Sequence, residues 1–252
     1  MSGWGDFPKS MTVGERAQKA KATAKKLEKK GKKLSPVVIE GKKIANSFWG
    51  EGWCTHLEGF GDFESRLPRG RSYVRHGSVI HLEIEAGKIT AKVQGSDLYD
   101  VTITIKTMPA ARYKKLVASC TGKIESMVEL LKGALNDATL KVLTDPRHGL
   151  FPQDGEIEFD CSCPDGAWMC KHVAAVLYGV GARLDTAPEL LFTLRSVDQK
   201  MLVGSATNLD ISVDKKVKTL RSGGLADVFG IEMEDAPAPV KKKKKKAAAR
   251  HR

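Results

Sequence analysis

Four side chains within twelve residues, Cys161, Cys163, Cys170 and His172, concentrate the soft metal donors of this chain in one place. Thiolates and imidazoles are the ligands of tetrahedral zinc. If all four coordinate, no position is left for water or substrate, so one structural Zn2+ is expected and not a hydrolytic centre. The competing reading makes them core or redox cysteines, but a Cys-x-Cys disulfide would be strained and out of place inside a cell. Spacing also constrains geometry. Residues two apart in a regular helix point about 200° away from each other, so Cys170 and His172 cannot share a helical face and reach one metal. Cys170 is therefore expected just before a helix, with His172 in its first turn. Cys161 and Cys163 would reach the ion from a turn on a strand.

The flanking pattern supplies those elements. Ile157, Phe159 and Cys161 alternate with Glu156, Glu158 and Asp160, which predicts a strand, and Pro164-Asp165-Gly166 predicts a turn. From His172 to Val180 the chain is mostly apolar and predicts a short helix, with Gly179 and Gly181 marking its end. Upstream, Ile80, Leu82 and Ile84, then Ile89, Ala91 and Val93, then Tyr99, Val101, Ile103 and Ile105 alternate with polar residues, broken at Gly87-Lys88 and Gly95-Ser96-Asp97. Period-two alternation with turn residues at each break predicts a three-stranded antiparallel meander, apolar on one face. Pro109 opens a helical stretch through Tyr113, Leu116 and Val117. A second stretch carries Ile124, Met127, Val128 and Leu131 up to Gly133. Strands first and helices after make the fold class α+β.

Cys-x-Cys, a short spacer and Cys-x-His before an apolar helix is similar to the SWIM zinc finger, a ββα-type module. The rest of the body resembles bacterial SWIM zinc finger family proteins. The features that carry this are Phe48-Trp49-Gly50 with Trp53, the Arg69–Arg75 stretch with Gly77, the meander, Leu190–Arg195, and Val228-Phe229-Gly230-Ile231. The resemblance spans residues 44 to 235. It implies a zinc-shaped module that binds DNA or protein, in some members beside a SWI/SNF-type helicase-like ATPase.

Charge is divided unevenly. Residues 9 to 43 carry a net +9 and residues 241 to 252 a net +8, against +12 for all 252 residues, so the remainder is mildly acidic. The expected organisation is a basic flexible tail over 1–43, an α+β body over 44–150, the zinc module over 151–195, an extension packed on the body over 196–235, and a Lys-rich disordered tail over 236–252. No apolar run approaches the ~20 residues of a membrane span. The start of the chain lacks a signal-peptide layout, and five cysteines do not read as a secreted disulfide framework. A cytoplasmic protein is expected, nucleoid-associated if bacterial.

Arg66, Arg69, Arg71, Arg75 and His76 surround Tyr73, with Gly70 and Gly77 loosening the chain. Arginines on phosphates and a tyrosine stacked on a base would suit nucleic acid, whereas a solvated loop paired to acids is the plain alternative. Lys171, between two ligands, could offset a three-thiolate site or face a phosphate. Lys241, Lys242, Lys243, Lys244, Lys245 and Lys246 would bind nucleic acid by counterion release, or merely solubilise. The expected function is zinc-dependent nucleic-acid binding, DNA favoured over RNA, and not catalysis. The alternative is a protein-interaction adaptor whose finger docks on a partner. Phe48, Trp49 and Trp53 read as core, and Cys54 and Cys120 as small core residues. His56, His81 and His148 stand alone without partners at ligand spacing. Trp168 is open to either a core or an outward role.

Overall fold

A computed structural model of the chain describes residues 11–60 and 66–203. Strands β1 (Val79–Glu85), β2 (Lys88–Gln94) and β3 (Leu98–Ile105) form the expected meander, with Leu82 opposite Ala91 and Ile89 opposite Ile103. The strand that runs into the first cysteines, β4 (Ile157–Cys161), does not stand apart in a separate module. It pairs antiparallel with β3, Cys161 opposite Val101 and Phe159 opposite Ile103, so one four-stranded sheet runs β1-β2-β3-β4. At the other edge, the backbone of Ser35–Val37 lies along β1. Leu82 donates its N–H to Ser35 at 2.8 Å and Val37 donates to Val79 at 3.1 Å, which covers an otherwise open edge.

Six further helices build on this sheet. They are α2 (Phe48–Glu58), α3 (Leu67–Arg75), α4 (Ala110–Cys120), α5 (Met127–Lys132), α6 (Asp137–Leu143) and α7 (Lys171–Leu184). Two short helices, α8 (Glu189–Arg195) and α9 (Lys200–Val203), follow. Helix α7 is the centre of the core: every residue from His172 to Gly181 is buried, the signature of a helix packed on all sides. It extends past Gly179 and Gly181, which the sequence suggested would end it. Tertiary packing explains the difference, since a Cβ on Gly181 would lie 2.6 Å from Cys54 Sγ and one on Gly50 would lie 2.6 Å from the Gly181 carbonyl. These glycines let α2 and α7 touch backbone to backbone. Likewise Gly70 does not loosen the chain. It sits inside α3, where a Cβ would come 2.4 Å from that of Ala174 on α7. Trp49 and Trp53 are fully buried core residues as expected, their indole N–H groups donating to the Leu130 and Leu177 carbonyls, both at 2.9 Å.

The N-terminal segment departs from the expected flexible tail. Thr12 and Glu15 form a reciprocal cap, and α1 (Val13–Lys29) follows. Arg16, Ala17, Ala20, Thr23, Ala24 and Leu27 are its less exposed residues, at helical spacing, with Arg16 and Ala20 buried. The sequence showed no broad apolar stripe because this stripe is mostly alanine, with one leucine, one threonine and one arginine stem, which let the helix lie close. The extension over 196–235 and the tail over 236–252, including Val228–Ile231 and Lys241–Lys246, lie outside the described residues beyond Val203.

At the start of β4, Glu156 accepts from Arg112 at 3.1 Å through both oxygens and from Arg195 at 2.8 Å. Burial opposes its ionisation, but the Gln153 N–H and the two guanidinium groups hold its carboxyl below the ordinary value of 4.5. Removing that carboxylate leaves two buried cations without their anion, so Glu156→Gln should cost about 3 kcal/mol. Denaturant unfolding of the zinc-loaded protein at pH 7 measures this. Because the folded pKa is depressed, the contribution is present above the ordinary carboxylate value and lost as pH falls through the folded one. The gap between wild type and variant should therefore close on acidification.

Candidate metal centre

The four expected ligands come together. Their donor atoms all lie within 4.8 Å of one another, drawn from β4, the turn after it and the start of α7. Cys170 is the N-cap of α7 and His172 its second residue, so the 200° argument is met by placing one ligand before the helix. His172 Nδ1 lies 3.9 Å from Cys161 Sγ and 3.8 Å from Cys170 Sγ. With zinc–sulfur bonds of about 2.3 Å and zinc–nitrogen bonds of about 2.0 Å, a tetrahedral site has ligand-to-ligand edges of roughly 3.5–3.8 Å. The cluster fits that ion.

Electrostatics points the same way. A hydrogen bond from Cys161, helped by His172, draws the Cys170 thiol well below its ordinary value, while the contact with Cys170 and burial push Cys161 up. Burial also raises Cys163. Without a cation the three sulfurs cannot all ionise together. A divalent ion makes three thiolates compatible.

The turn after β4 is held at both ends. Ser162 and Asp100 exchange two bonds of 3.0 Å, one backbone and one through the serine hydroxyl. Asp165 takes Arg66, the residue before α3, at 2.7 Å and the Ala167 N–H at 3.3 Å. Met169 and Cys170 are buried, whereas Trp168 packs its ring 4.9 Å from that of Phe159 and stays 51% exposed.

His172 is caged by aromatic rings. Tyr99 lies 4.4 Å away at a tilt and Tyr73 meets it edge-on at 5.4 Å. A Cβ on Gly95 would lie 2.9 Å from both His172 Nε2 and the Tyr99 ring, so only glycine leaves room there. Sequence reasoning missed this position, because Gly95 looks like an ordinary turn glycine. Nor did it find Arg16, whose guanidinium lies 3.9 Å over the Tyr73 ring and donates to Ser78 Oγ at 3.1 Å. Lys19 also donates to the Ser96 carbonyl, and Thr23 to Gln94 at 2.7 Å. Helix α1 thus closes over the outside of the His172 cage.

The stretch expected to contact nucleic acid is helical and partly engaged. Tyr73 packs on the metal ligand beneath Arg16. Arg71 pairs with Glu58 and donates to Tyr178 Oη at 3.1 Å, and Arg75 donates to the Lys42 carbonyl at 2.5 Å. Arg69 and His76 are exposed, and Lys171 is half-buried at the first position of α7. His56 donates Nε2–H to the Pro152 carbonyl at 2.7 Å, His81 takes the Ser35 N–H, and His148 is a surface residue. Burial pushes the Cys54 thiol up to about 12 and raises Cys120, as befits inert core sulfurs.

Residues 155–180 match the family model of the SWIM zinc finger, and the match takes in all four ligands and most of α7. This segment is a SWIM zinc finger. Over 165 residues, 64% of its length, the chain is 33% identical to the uncharacterized protein Rv2102 of Mycobacterium tuberculosis, of which the match covers 59%. The chain thus spans less than two thirds of that relative's length. No solved structure matches it. Among the described residues, no helix is long and apolar enough to cross a membrane.

Two outcomes test the centre. Cys163→Ser should lose most of its zinc, measured as metal content after gel filtration, and open residues 161–180 to protease. Retention of stoichiometric zinc would argue against the ligand set. Gly95→Ala should keep the fold but displace the His172 ring, weakening zinc roughly tenfold in competition with a chelating dye.

Proposed function

We propose that this chain binds nucleic acid, DNA in preference to RNA, through a cationic surface that the SWIM zinc finger holds in place. The observation that carries the reading is α1. It is anchored by Arg16 on the ring that packs against a zinc ligand, and it presents Lys21, Lys25, Lys26 and Lys29 to solvent. A charge run normally reads as a solvated tail. Lysines fixed on a folded body are pre-arranged for phosphates, and neutralising phosphates releases counterions. Lys42, Lys43, Arg71 and Arg75 line a cleft of about 480 Å³ between α2, α3 and α7; Glu51 pairs with Lys43 and Glu58 with Arg71 there, which leaves the cleft net positive. Zinc has a structural role in this reading, since four protein ligands fill a tetrahedral ion, and no catalysis is proposed. A SWI/SNF-type helicase-like ATPase as companion belongs to the same proposal and draws only on the family resemblance.

A second reading, the finger as a protein-docking adaptor, is favoured by Trp168, half-exposed on the turn that the metal braces. Fluorescence anisotropy with labelled duplex DNA across a salt series separates the two. The comparison is the full zinc-loaded chain against Lys21→Glu, Lys25→Glu and Lys29→Glu combined, a variant that leaves the docked face of α1 intact. Nucleic-acid binding predicts a log–log salt slope of about −0.9 per phosphate contact, made shallower by two to three contacts in the variant. Equal binding by both proteins removes α1 from the interface, and the absence of salt-sensitive binding favours the adaptor.

A further inference from the structure

The ion-pair cluster at the start of β4 is unbalanced. Arg112, Glu156 and Arg195 have side chains 12%, 13% and 0% exposed, and two guanidinium groups share the one carboxylate. One positive charge is left over in a setting that removes most water, where an uncompensated charge is costly. Arg195 spends its other Nη on the Lys106 carbonyl at 2.7 Å. Arg112 holds Glu156 end-on through Nη1 and Nη2, which uses two of its five N–H donors. Its Nε is buried with no partner among the described residues, and so is that of Arg195.

Arg112 also lines a cavity of about 530 Å³ between α4 and α6. Lys115 of α4 and Lys141 of α6, both exposed, flank it, with Ser119 and His148 nearby. The acid on its wall, Asp145, is committed elsewhere. Its carboxylate takes the N–H groups of Arg147 at 2.9 Å and His148 at 2.7 Å, so it turns the chain and stays charged. Leu116 and Val142 add apolar surface. The size is that of a small-ligand site, and a fixed guanidinium flanked by two exposed ammonium groups outweighs the Asp145 carboxylate and suits a tetrahedral dianion.

We propose that the α4–α6 cavity is a phosphate-binding site, with Arg112 as its fixed donor and Lys115 and Lys141 as its closing pair. It shares no residue with the zinc finger or with α1, and it does not depend on the nucleic-acid reading. The phosphate comes from a free nucleotide or from a nucleic-acid backbone, two sources with one chemistry. Bound there, it supplies the anion that the Arg112–Glu156–Arg195 cluster lacks.

The test uses the full, zinc-loaded, 15N-labelled chain titrated with pyrophosphate and read at the arginine Nε–Hε resonances. The Arg112 resonance is identified by its absence from Arg112→Lys. A saturable shift of that resonance is expected, with affinity at least tenfold weaker in Lys115→Glu with Lys141→Glu. Those two lysines are exposed, so unchanged zinc content and circular dichroism will show that the variant folds. No saturable shift, equal affinity in the variant, or an equal response to sulfate would overturn the site. Displacement of pyrophosphate by ADP but not by a short DNA duplex assigns the free nucleotide as source. Displacement by the duplex assigns the backbone, and either supports the site.

Discussion

The ring of His172 is where the metal, the core and the basic helix meet. Its Nδ1 faces the thiols, while its Nε2 is buried without a partner among the described residues and its ring is held by Tyr73 and Tyr99. Coordination through Nδ1 fixes the orientation of the ring and supplies the free energy that offsets burying an unpaired Nε2. Everything that touches the ring therefore inherits its placement from the metal. Tyr73 belongs to α3, Tyr99 to β3, and Gly95 to the turn between β2 and β3, so one coordinated side chain ties three separate elements to the first turn of α7.

Helix α7 could not transmit this placement if it were loosely packed. Its neighbours reach it at backbone distance because small residues stand at each crossing: Gly70 against Ala174 and Gly50 against Gly181. Close-packed interfaces of this kind have little slack, and adding one methyl at a crossing forces whole helices to shift. The finger is therefore an integral part of the body. Its strand is the fourth of the common sheet, and its helix is the helix around which the core is built.

The legibility of these features in the sequence follows from their range. The zinc ligands lie within twelve residues, and the meander repeats with period two between turn residues, so both are local patterns that need no tertiary context. The placement of Cys170 before α7 was also readable, because helical geometry forbids the alternative. What escaped was non-local. The docking of α1 depends on Arg16 meeting Tyr73, 57 positions away, and a lysine-rich helix with an alanine face looks like a tail until its partner is known. Gly179 and Gly181 have the composition of a helix end but serve as contact points, because packing overrides propensity. Glu156 read as one polar residue in an alternating strand, and nothing local linked it to Arg112 and Arg195, 44 and 39 positions away.

The charge distribution makes sense in the same terms. Lysines repel one another, and a run of them gains nothing by folding on its own. On α1 the cost is offset by a few uncharged contacts and one arginine whose guanidinium sits over an aromatic ring, an interaction that keeps its charge while burying its stem. Arg16 therefore differs in kind from the lysines around it, and a lysine in its place would lose the Nε bond to Ser78. Because that ring packs on His172, the anchor of the basic helix is only as firm as the coordination of the metal. In the function proposed for this chain, zinc then acts on the cationic surface through two aromatic contacts, without lying in the interface itself.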